Sequence, residues 1–373
     1  MRFISERAPG AVREYDIANY FGRRIAIDAS TCLYQFLVAI RSGADGQNMA
    51  SEDGEATSHL IGLFYRTLRM LDHGIKPVYV FDGKPPELKG GELAKRRERR
   101  QAAEESLKEA KDSGDADDVQ KFERRLVRVS PEQNAEAKRL LKLMGVPYVE
   151  APGEAEATCA ALARAGAVYG AGTEDMDALP FGATKLIRNL TVSANKEAAI
   201  VEVDLDKVLE GLELTMEQFI DMCVLFGCDY TSTIRGIGPQ KAYEMIKQHG
   251  STAAGLKELN REKYPVPEDF MPEAAAELFR NAEVADAAEL DLKAREPDEE
   301  GLIAFLCGEK GFQEPRVRAG LARLTKAKSK GTQQRLENFF SIIPKSPTAN
   351  ANAKTGQTKR PADKKGAAAT KKK

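Results

Sequence analysis

Short apolar stretches alternate with longer amphipathic ones along the first half of the chain. Arg24–Asp28 and Pro77–Asp82 are short apolar runs that each end in aspartate, which is typical of buried strands. Between them, His59–Asp72 carries apolar residues at helical spacing and predicts an amphipathic helix. The same patterns predict four further elements: helices over Pro131–Met144 and from Pro152 to about Ala165, and strands over Val146–Val149 and Ala167–Ala171. Strands that alternate with helices favour an α/β fold whose central sheet is mainly parallel and flanked by helices.

Two later regions break this alternation. Residues 83–130 are polar and charge-dense, and the helix-forming stretches Glu92–Lys111 and Asp117–Arg128 indicate a helical insertion that projects from the sheet. From Thr215 to His249 the pattern is helical, interrupted by the Gly-rich turn Arg235–Pro239. Beyond Lys326 apolar residues become scarce, so we expect the end of the chain to be disordered.

Composition and charge narrow the function classes. The 373 residues carry a net charge of −1, but nine Lys or Arg and one Asp give Ser341–Lys373 a charge of +8 and leave −9 for residues 1–340. No apolar run is long enough to span a bilayer and the start has no signal-peptide core, so we expect no membrane association. Five cysteines without a CxxC pair indicate reduced thiols. An acidic body of this kind binds nucleic acid only through local basic patches and bound cations.

Acidic side chains gather where the predicted strands end. Because ligands of an open parallel sheet bind beyond the carboxyl ends of its strands, we expect these carboxylates to converge. They are Asp28, Asp82, Glu154, Glu156, Asp175, Asp177 and Asp229. Seven like charges repel each other without bound cations, and oxygen donors without His or Cys favour Mg²⁺ or Mn²⁺ over Zn²⁺. This number of donors suits two ions about 4 Å apart, the arrangement used to cleave a phosphodiester.

Each of these acids has a simpler interpretation when taken alone, as a helix cap or a solvated loop residue. Glu154 is the most open to that interpretation, because it stands in the first turn of a predicted helix. The seven acids together favour a metal site.

The segments around these acids resemble the eukaryotic flap endonuclease family, which are 5′ structure-specific DNA nucleases related to the PIN-like nucleases. The similar segments are FGRRIAIDAS, KPVYVFDGKPPELKGGELAKR, APGEAEA, TEDMDAL and GCDYTSTIRGIGPQKA. They occur in the family's order, and the resemblance runs from about Ala8 to Phe340. It implies that the seven acids are the metal ligands, that Asp177 is also catalytic, and that the enzyme uses two Mg²⁺ ions, for which Mn²⁺ can substitute.

The resemblance also implies how the chain is organised. It comprises an N-terminal nuclease region (1–100), a helical arch (83–130), an internal nuclease region (131–250) with a helix-hairpin-helix element at about 215–250, a C-terminal part of the nuclease core (251–326) and a disordered tail (327–373). The start departs from the family, whose members begin Met-Gly-Ile with a short apolar helix near the active site. Met1–Arg7 lacks that glycine, so we expect an incomplete gene model, or a variant whose activity is impaired.

Several further positions match residues through which the family contacts DNA. Lys89 and Arg96 match positions that reach the scissile phosphate, where they would stabilise negative charge on its oxygens. The matching DNA-binding positions are Tyr34, Arg41, Arg66, Glu154, Gly227, Asp229, Arg235, Gly236 and Gly238, with a K⁺ ion expected at the Gly-rich turn. Those matching part of a pocket for a one-nucleotide 3′ flap are Thr57, Lys310 and Phe312.

The residues themselves leave other interpretations open. The arch is also consistent with a solvated helix of mixed charge, because acidic residues interleave with its basic ones. Tyr34, taken alone, is more typical of a core aromatic, and the Gly-rich turn is also typical of an ordinary tight turn between helices.

The tail carries two short motifs. Gln333, Leu336, Phe339 and Phe340 have the spacing of the motif that binds the sliding clamp, proliferating cell nuclear antigen, with three apolar side chains on one helical turn. A terminal helix docked on its own core is the alternative. The basic segment 359–373 predicts a bipartite nuclear localisation signal, or else non-specific DNA affinity. We expect a nuclear protein, with nucleolar and mitochondrial pools as further options.

These features together predict a magnesium-dependent 5′-flap endonuclease with 5′-3′ exonuclease activity. Its expected roles are Okazaki fragment maturation in DNA replication and base-excision repair. Its expected partners are flapped or nicked duplex DNA and the trimeric clamp, which it binds as a monomer. Two alternatives stay open: a sibling 5′-exonuclease or junction resolvase, and a clamp-bound DNA-binding adaptor that is inactive because of its atypical start.

Overall fold

A seven-stranded sheet forms the centre of the described protein. The computed structural model describes residues 1–41, 57–191 and 199–329, which lie within one compact unit, Met1–Gln333. The strands are Val12–Tyr15 (β1), Arg24–Asp28 (β2), Lys76–Phe81 (β3), Tyr148–Glu150 (β4), Ala171–Gly172 (β5), Lys185–Arg188 (β6) and Ile200–Asp204 (β7). Their order across the sheet is β1-β7-β6-β5-β2-β3-β4. The strands from β6 to β4 pair in parallel, whereas β7 is antiparallel to both β6 and β1.

Fourteen α-helices are present in the described ranges. They are Arg2–Arg7 (α1), Ala29–Arg41 (α2), Ser58–Asp72 (α3), Gly90–Ser113 (α4), Ala116–Arg125 (α5), Pro131–Leu143 (α6), Ala155–Arg164 (α7), Leu205–Leu212 (α8), Met216–Phe226 (α9), Pro239–His249 (α10), Thr252–Glu258 (α11), Pro272–Arg280 (α12), Glu299–Ile303 (α13) and Glu314–Ser329 (α14). Helix α6 begins at a complete capping box, in which Ser130 and Gln133 each accept from the other's backbone N–H. Such caps explain why this helix begins where its sequence predicts.

Helices cover both faces of the sheet. Ala26, Val78 and Val80 belong to one core, together with residues of α7, α9 and α12. Ile27 and Tyr79, their neighbours along the same strands, belong to a second core with residues of α2, α3 and α6. Because successive strand residues point to opposite faces and both faces are buried, these strands are continuous apolar runs.

The predicted α/β fold with a mainly parallel sheet is confirmed. Several element boundaries differ from the prediction, and hydrogen bonds explain three of these differences. The strand predicted over Val146–Val149 begins at Tyr148, because the Val146 N–H still closes the end of α6 by donating to the Leu141 carbonyl. The strand predicted over Ala167–Ala171 is only Ala171–Gly172, because Ala167 and Val168 still bond back to the end of α7. Strands β1, β6 and β7 were not predicted.

The start of α7 is the third difference. This helix begins at Ala155 instead of Pro152. The carbonyls of Pro152 and Gly153 accept from the N–H groups of Lys84 and Gly83, so they hold the segment that follows β3 and do not enter the helix. The segments that carry Asp82 and Glu154 are thereby joined.

The polar insertion is helical, as its composition predicts. Helices α4 and α5 pack against each other, and α5 also contacts α2. Helices α9 and α10 likewise pack together on either side of the Gly-rich turn. That the first pair forms an arch over DNA, and that the second binds DNA, stay predictions.

Two expectations from composition can be compared with the structure. Among the residues described, no helix is both long and apolar enough to cross a membrane. All five cysteines are free thiols, in agreement with their spacing in the sequence.

Candidate functional site

The structure brings the seven predicted acids to one end of the sheet, and we call them the acidic cluster. Six of them follow the carboxyl ends of parallel strands: Asp28 ends β2, Asp82 follows β3, Glu154 and Glu156 follow β4, and Asp175 and Asp177 follow β5. Asp229 joins them from the segment after α9. The sheet topology therefore assembles acids that lie up to 201 positions apart in the sequence.

Hydrogen bonds fix the buried carboxylate of Asp28. It accepts from the Thr31 hydroxyl at 2.5 Å and the Thr31 N–H at 3.0 Å, both in the first turn of α2. On its other side it accepts from the Thr173 hydroxyl at 2.9 Å, just beyond β5. Asp28 therefore ties together two neighbouring strand ends.

Asp82, and not Glu154, caps helix α7. The Asp82 carboxylate accepts from the Ala155 N–H at 2.8 Å. Glu154 occupies the N-cap position, yet its side chain makes no capping bond. Its two oxygens instead accept from Lys89 and from the hydroxyl of Tyr230. The capping interpretation of Glu154 is wrong, because the aspartate after β3 already satisfies the helix start.

Burial and mutual repulsion raise the pKa of part of the acidic cluster. Burial, followed by the charge of Asp82, raises the pKa of Asp28 from 3.8 to about 6, against the lowering effect of its hydrogen bonds. Burial also raises the pKa of Glu156, and the charges of Glu154, Asp28 and Asp82 add to that rise. These acids are therefore close enough to oppose each other's ionisation.

Burial and repulsion also act on Asp177, in the part of the acidic cluster that includes Asp175 and Asp229. Burial, followed by the charges of Asp175, Asp229 and Glu154, raises the pKa of Asp177 from 3.8 to about 8, and Lys89 opposes this rise. Asp175 accepts from the Asp177 N–H at 2.9 Å, so a short 3₁₀ turn holds the two carboxylates together. The charge of Glu154 raises the pKa of both Glu156 and Asp177, so Glu154 lies close to both acids.

Two basic side chains reach into the acidic cluster from the insertion. Lys89 lies in a 3₁₀ turn just before α4, and its Nζ pairs with Glu154 and lies 3.3 Å from Asp229. Arg96, on α4, donates to Asp229 at 2.7 Å. Nearby acids raise the pKa of both side chains, against the effect of burial, so they remain cations. The two positions predicted to reach a scissile phosphate therefore lie at the predicted metal ligands.

The donor chemistry of the acidic cluster fits a hard divalent cation. All seven side chains offer carboxylate oxygens. The raised pKa values of Asp28 and Asp177 reflect burial and repulsion by neighbouring acids, which a bound cation would offset. Within the described ranges, however, no three His, Cys, Asp or Glu side chains are grouped as the ligands of one ion. Lys89 and Arg96 pair with oxygens of Glu154 and Asp229. A divalent ion that bound these oxygens would therefore have to displace the two basic side chains.

Sequence reasoning missed the residues that orient the acids. Glu174 accepts from Arg188 at 3.1 Å and from the Asn189 N–H at 2.7 Å, which fastens the segment after β5 to the end of β6. Tyr230 bonds Glu154, as described above. Both stand next to a predicted ligand in the quoted segments, and that adjacency was the one available signal.

The predicted DNA-contacting side chains on α2 and α3 differ in their surroundings. Tyr34 is 46% exposed, so its interpretation as a core aromatic is wrong. Arg66 packs over the Phe36 ring at 4.1 Å and donates to the Thr191 carbonyl at 2.5 Å, so it is engaged within the protein. Arg41 ends α2, and its side chain is outside the described part.

The Gly-rich turn has the backbone that its glycines predict. Gly236 has a φ of 87°, which side-chain-bearing residues rarely adopt. Gly227, which lies outside the turn at the end of α9, has a φ of 108°. Gly236 also lies against the Tyr264 ring, where an added Cβ would come within 3.2 Å. Arg235 is exposed, and Gly238 caps α10 with open space beside it. The turn therefore presents accessible backbone next to a basic side chain.

One of the three residues predicted to form a 3′-flap pocket, Lys310, belongs to a partly buried charge network. Thr57 is buried and occupies the N-cap position of α3, without a capping bond from its side chain. Phe312 packs on the second core. Lys310 pairs with Glu136 of α6, and Glu136 also lies 3.0 Å from the buried His59. The four residues of the predicted clamp-binding motif, Gln333, Leu336, Phe339 and Phe340, lie outside the described residues.

Comparison with known families agrees with this geometry. The XPG N-terminal domain model matches residues 1–103, and the XPG I-region model matches residues 145–229. All seven acids fall within these two ranges. The first match begins at residue 1, ahead of the expected start of the resemblance at about Ala8.

Similar proteins cover most of the chain. Flap endonuclease 1 of Drosophila mojavensis is 56% identical over 353 residues, which are 95% of this chain and 90% of the relative. Flap endonuclease 1 of Danio rerio is 52% identical over 364 residues, 98% of this chain and 94% of the relative.

Two solved structures have the same fold. Flap endonuclease-1 from Methanococcus jannaschii superposes with a TM-score of 0.65 at 33% identity, covering 85% of this chain and 96% of that one. The catalytic core of Rad2 in complex with a DNA substrate gives 0.66 at 26% identity, covering 86% and 98%. With its acids at the carboxyl edge of the sheet and this similarity along its length, the chain belongs to the flap endonuclease family.

Proposed function

We propose that this chain is a structure-specific DNA nuclease that cleaves 5′-flap substrates, with divalent cations held by the acidic cluster. One observation carries the proposal. Lys89 and Arg96 meet Glu154 and Asp229 at the carboxyl edge of the sheet, where the other acids also converge. Hydrolysis of a phosphodiester requires positive charge near its oxygens and a group that activates water. The residues at this edge of the sheet can supply both.

Each group then has a role that its position supports. Divalent ions bound by the seven acids would supply the charge that activates water and stabilises the leaving oxygen. Lys89 and Arg96 would leave Glu154 and Asp229 and neutralise charge on the phosphoryl oxygens. Thr31 and Thr173 hold Asp28 in place throughout. The catalytic assignments of Lys89, Arg96 and Asp177 belong to this proposal.

Magnesium is the cation we propose, with manganese as a substitute. Mg²⁺ prefers carboxylate oxygens and retains several waters, which suits a cluster of seven acids open to one side. Zinc is disfavoured because the three histidines, His59, His73 and His249, lie elsewhere in the chain and the cluster offers only oxygen.

We propose that the Gly-rich turn binds the backbone of duplex DNA. Gly236 and Gly238 allow a phosphate to approach the backbone ahead of α10, whose N-terminus favours anions. A K⁺ ion at the turn is part of the same proposal. Support comes from the Rad2 structures, which hold DNA substrate on a fold similar to this one.

Cleavage of a double-flap DNA tests the proposal. Wild type should cleave it in Mg²⁺, and Asp177→Ala should abolish cleavage while DNA binding survives, because that change removes a ligand and adds no bulk. Asp291→Ala, which removes an exposed acid outside the acidic cluster, should cleave like wild type. Full activity of Asp177→Ala would overturn the assignment of the cluster. The same enzyme should also act as a 5′-3′ exonuclease on nicked duplex.

We propose that the C-terminal tail binds the sliding clamp and directs the protein to the nucleus. Gln333, Leu336, Phe339 and Phe340 would bind one subunit of the trimeric sliding clamp, which suits an enzyme of DNA replication and base-excision repair. The basic segment 359–373 would direct the protein to the nucleus. Changing Phe339 and Phe340 to Ala should remove clamp binding and spare cleavage of naked DNA. Retained clamp binding in that variant would contradict this assignment.

A further inference from the structure

The ring of Tyr230 is buried in an aromatic cluster beside the acidic cluster. Tyr230 is only 2% exposed. Its ring lies 5.1 Å from that of Phe279 and 6.3 Å from that of Phe181, both edge to face, and those two rings are 4.8 Å apart. Phe181 also donates its N–H to the Asp177 carbonyl at 3.1 Å. The packing of the ring therefore fixes the position of the Tyr230 hydroxyl.

The Tyr230 hydroxyl hydrogen-bonds one carboxylate oxygen of Glu154, and the other oxygen is available to a different partner. It donates to Glu154 Oε2, whereas Lys89 pairs with Oε1. Lys89 in turn lies 3.3 Å from Asp229, so Oε1 faces the place where the cluster's acids and cations meet. Because a buried hydroxyl or carboxylate without a partner is costly, this bond holds both groups in one arrangement.

We infer that Tyr230 is a positioning residue for Glu154, whose Oε1 it aims at the cation of the site. That cation is Lys89 in the structure described and a divalent ion in the working enzyme. The inference rests on the proposed function, since it takes Glu154 as a ligand. Groups that hydrogen-bond a ligating carboxylate fix its orientation, and their loss typically weakens metal binding about 10–100-fold.

Binding of Mn²⁺ to the full chain without DNA tests the inference. Tyr230→Phe keeps the ring and its packing and removes only the hydroxyl. We expect its Kd for Mn²⁺, measured by calorimetry, to rise about 10-fold or more. Tyr169→Phe is the matched control, because the Tyr169 hydroxyl donates at 3.1 Å to Glu202, a buried carboxylate outside the acidic cluster. It should bind Mn²⁺ like wild type.

A double-mutant cycle separates orientation of Glu154 from a general effect on the fold. In a Glu154→Gln background, Tyr230→Phe should have little further effect on the Mn²⁺ Kd, because the group it orients is already altered. An equal loss in both backgrounds would overturn the inference, as would a wild-type Kd in Tyr230→Phe. Wild type that binds no Mn²⁺ would overturn the proposed function as well, whereas the other two outcomes leave it standing.

Discussion

Arg96 on helix α4 donates to Asp229 at 2.7 Å, across 133 positions of sequence. The side chains of the two residues are 48% and 29% exposed, so the bond lies at the surface of the acidic cluster. Together with Lys89, it fastens the helical insertion to the carboxyl edge of the sheet. The same carboxylate that would bind an ion thus holds the side chain that would bind a phosphate.

Removing the charge of Arg96 should affect cleavage far more than stability. A half-exposed ion pair contributes at most about 1 kcal/mol to the free energy of unfolding. A cation that stabilises charge in the transition state is worth on the order of 10²-fold in rate. We therefore expect Arg96→Gln to unfold at nearly the wild-type denaturant concentration and to cleave flap DNA about 100-fold more slowly in single turnover.

Arg323→Gln provides the control for this change. Arg323 pairs with Asp72 at similar exposure, 45% and 37%, outside the acidic cluster. It should alter stability as little as Arg96→Gln does and leave the cleavage rate unchanged. Equal cleavage rates for the two variants would show that Arg96 has no part in the reaction.

Lys89 should compete with divalent ions for Glu154. Its ammonium pairs with Glu154 and lies near Asp229, two of the proposed ligands. Lys89→Met should therefore bind Mn²⁺ more tightly than wild type without DNA, by roughly tenfold for each 1.4 kcal/mol of competition removed. Cleavage should fall at the same time.

Lys185→Met is the matched control for Lys89→Met. Lys185 also lies between two acids, 2.7 Å from Asp204 and 3.8 Å from Glu202, but these are outside the acidic cluster. Its Mn²⁺ affinity should be that of wild type. If Lys89→Met bound Mn²⁺ no more tightly than this control, the competition would be disproved.

The metal-free protein should lose stability as the pH rises. The pKa of Asp28 is raised to about 6 and that of Asp177 to about 8, both from 3.8. Between these values and 3.8 the folded state binds more protons than the unfolded state, so the free energy of unfolding falls with rising pH. The contribution of Asp28 is lost as the pH rises to about 6, so between pH 6 and pH 8 it is Asp177 that loses its proton. In EDTA, the melting temperature should therefore drop from pH 6 to pH 8, and Mg²⁺ should restore it.

Asp177→Asn isolates the larger of these two contributions. The amide cannot ionise, so the variant should lose less stability than wild type over the same pH range in EDTA. An identical drop in wild type and variant would mean that Asp177 ionises normally in the folded protein.

Gly227 should be needed for function and not only for stability. Its φ of 108° and ψ of 131° suit glycine almost alone, and an added Cβ would lie 2.8 Å from the Thr233 side chain. We expect Gly227→Ala to cost about 1–3 kcal/mol and to displace Asp229, two residues away. Mn²⁺ affinity should fall with it.

Gly250→Ala separates backbone strain from the effect on the site. Gly250 also has a positive φ, 82°, and ends α10 with no neighbour within 4 Å of an added Cβ. It should lower stability by about 1 kcal/mol and leave Mn²⁺ affinity intact. Wild-type affinity in Gly227→Ala would refute the link between this glycine and Asp229.

The sequence predicted the parallel half of the sheet and not its antiparallel edge. Strands β2 and β3 are buried on both faces and are therefore continuous apolar runs. Strand β1 is polar and partly exposed, and β7 carries Glu202, a buried polar residue that breaks the apolar pattern. Glu202 is tolerated because the Tyr169 hydroxyl and Lys185 lie beside it, and these contacts could not be inferred from β7 alone.

The acids of the candidate site were predictable because strand ends place them. The partners of those acids were not, since Lys89, Thr173 and Tyr230 reach them only after folding. Local pattern also misjudged Glu154, because Asp82, 72 positions earlier in the chain, caps the helix in its place. Long-range contacts of this kind carry no periodicity that a single sequence displays.

The proposed function is tested most directly by the rate at which the full chain cleaves three DNA substrates of equal length, with Mg²⁺ and with EDTA. The substrates are a double-flap duplex, a nicked duplex and a four-way junction. A 5′-flap endonuclease should cleave the double flap fastest, release nucleotides more slowly from the nick, and cleave nothing in EDTA. Preferential cleavage of the junction, or cleavage of the flap that persists in EDTA, would contradict the proposed function.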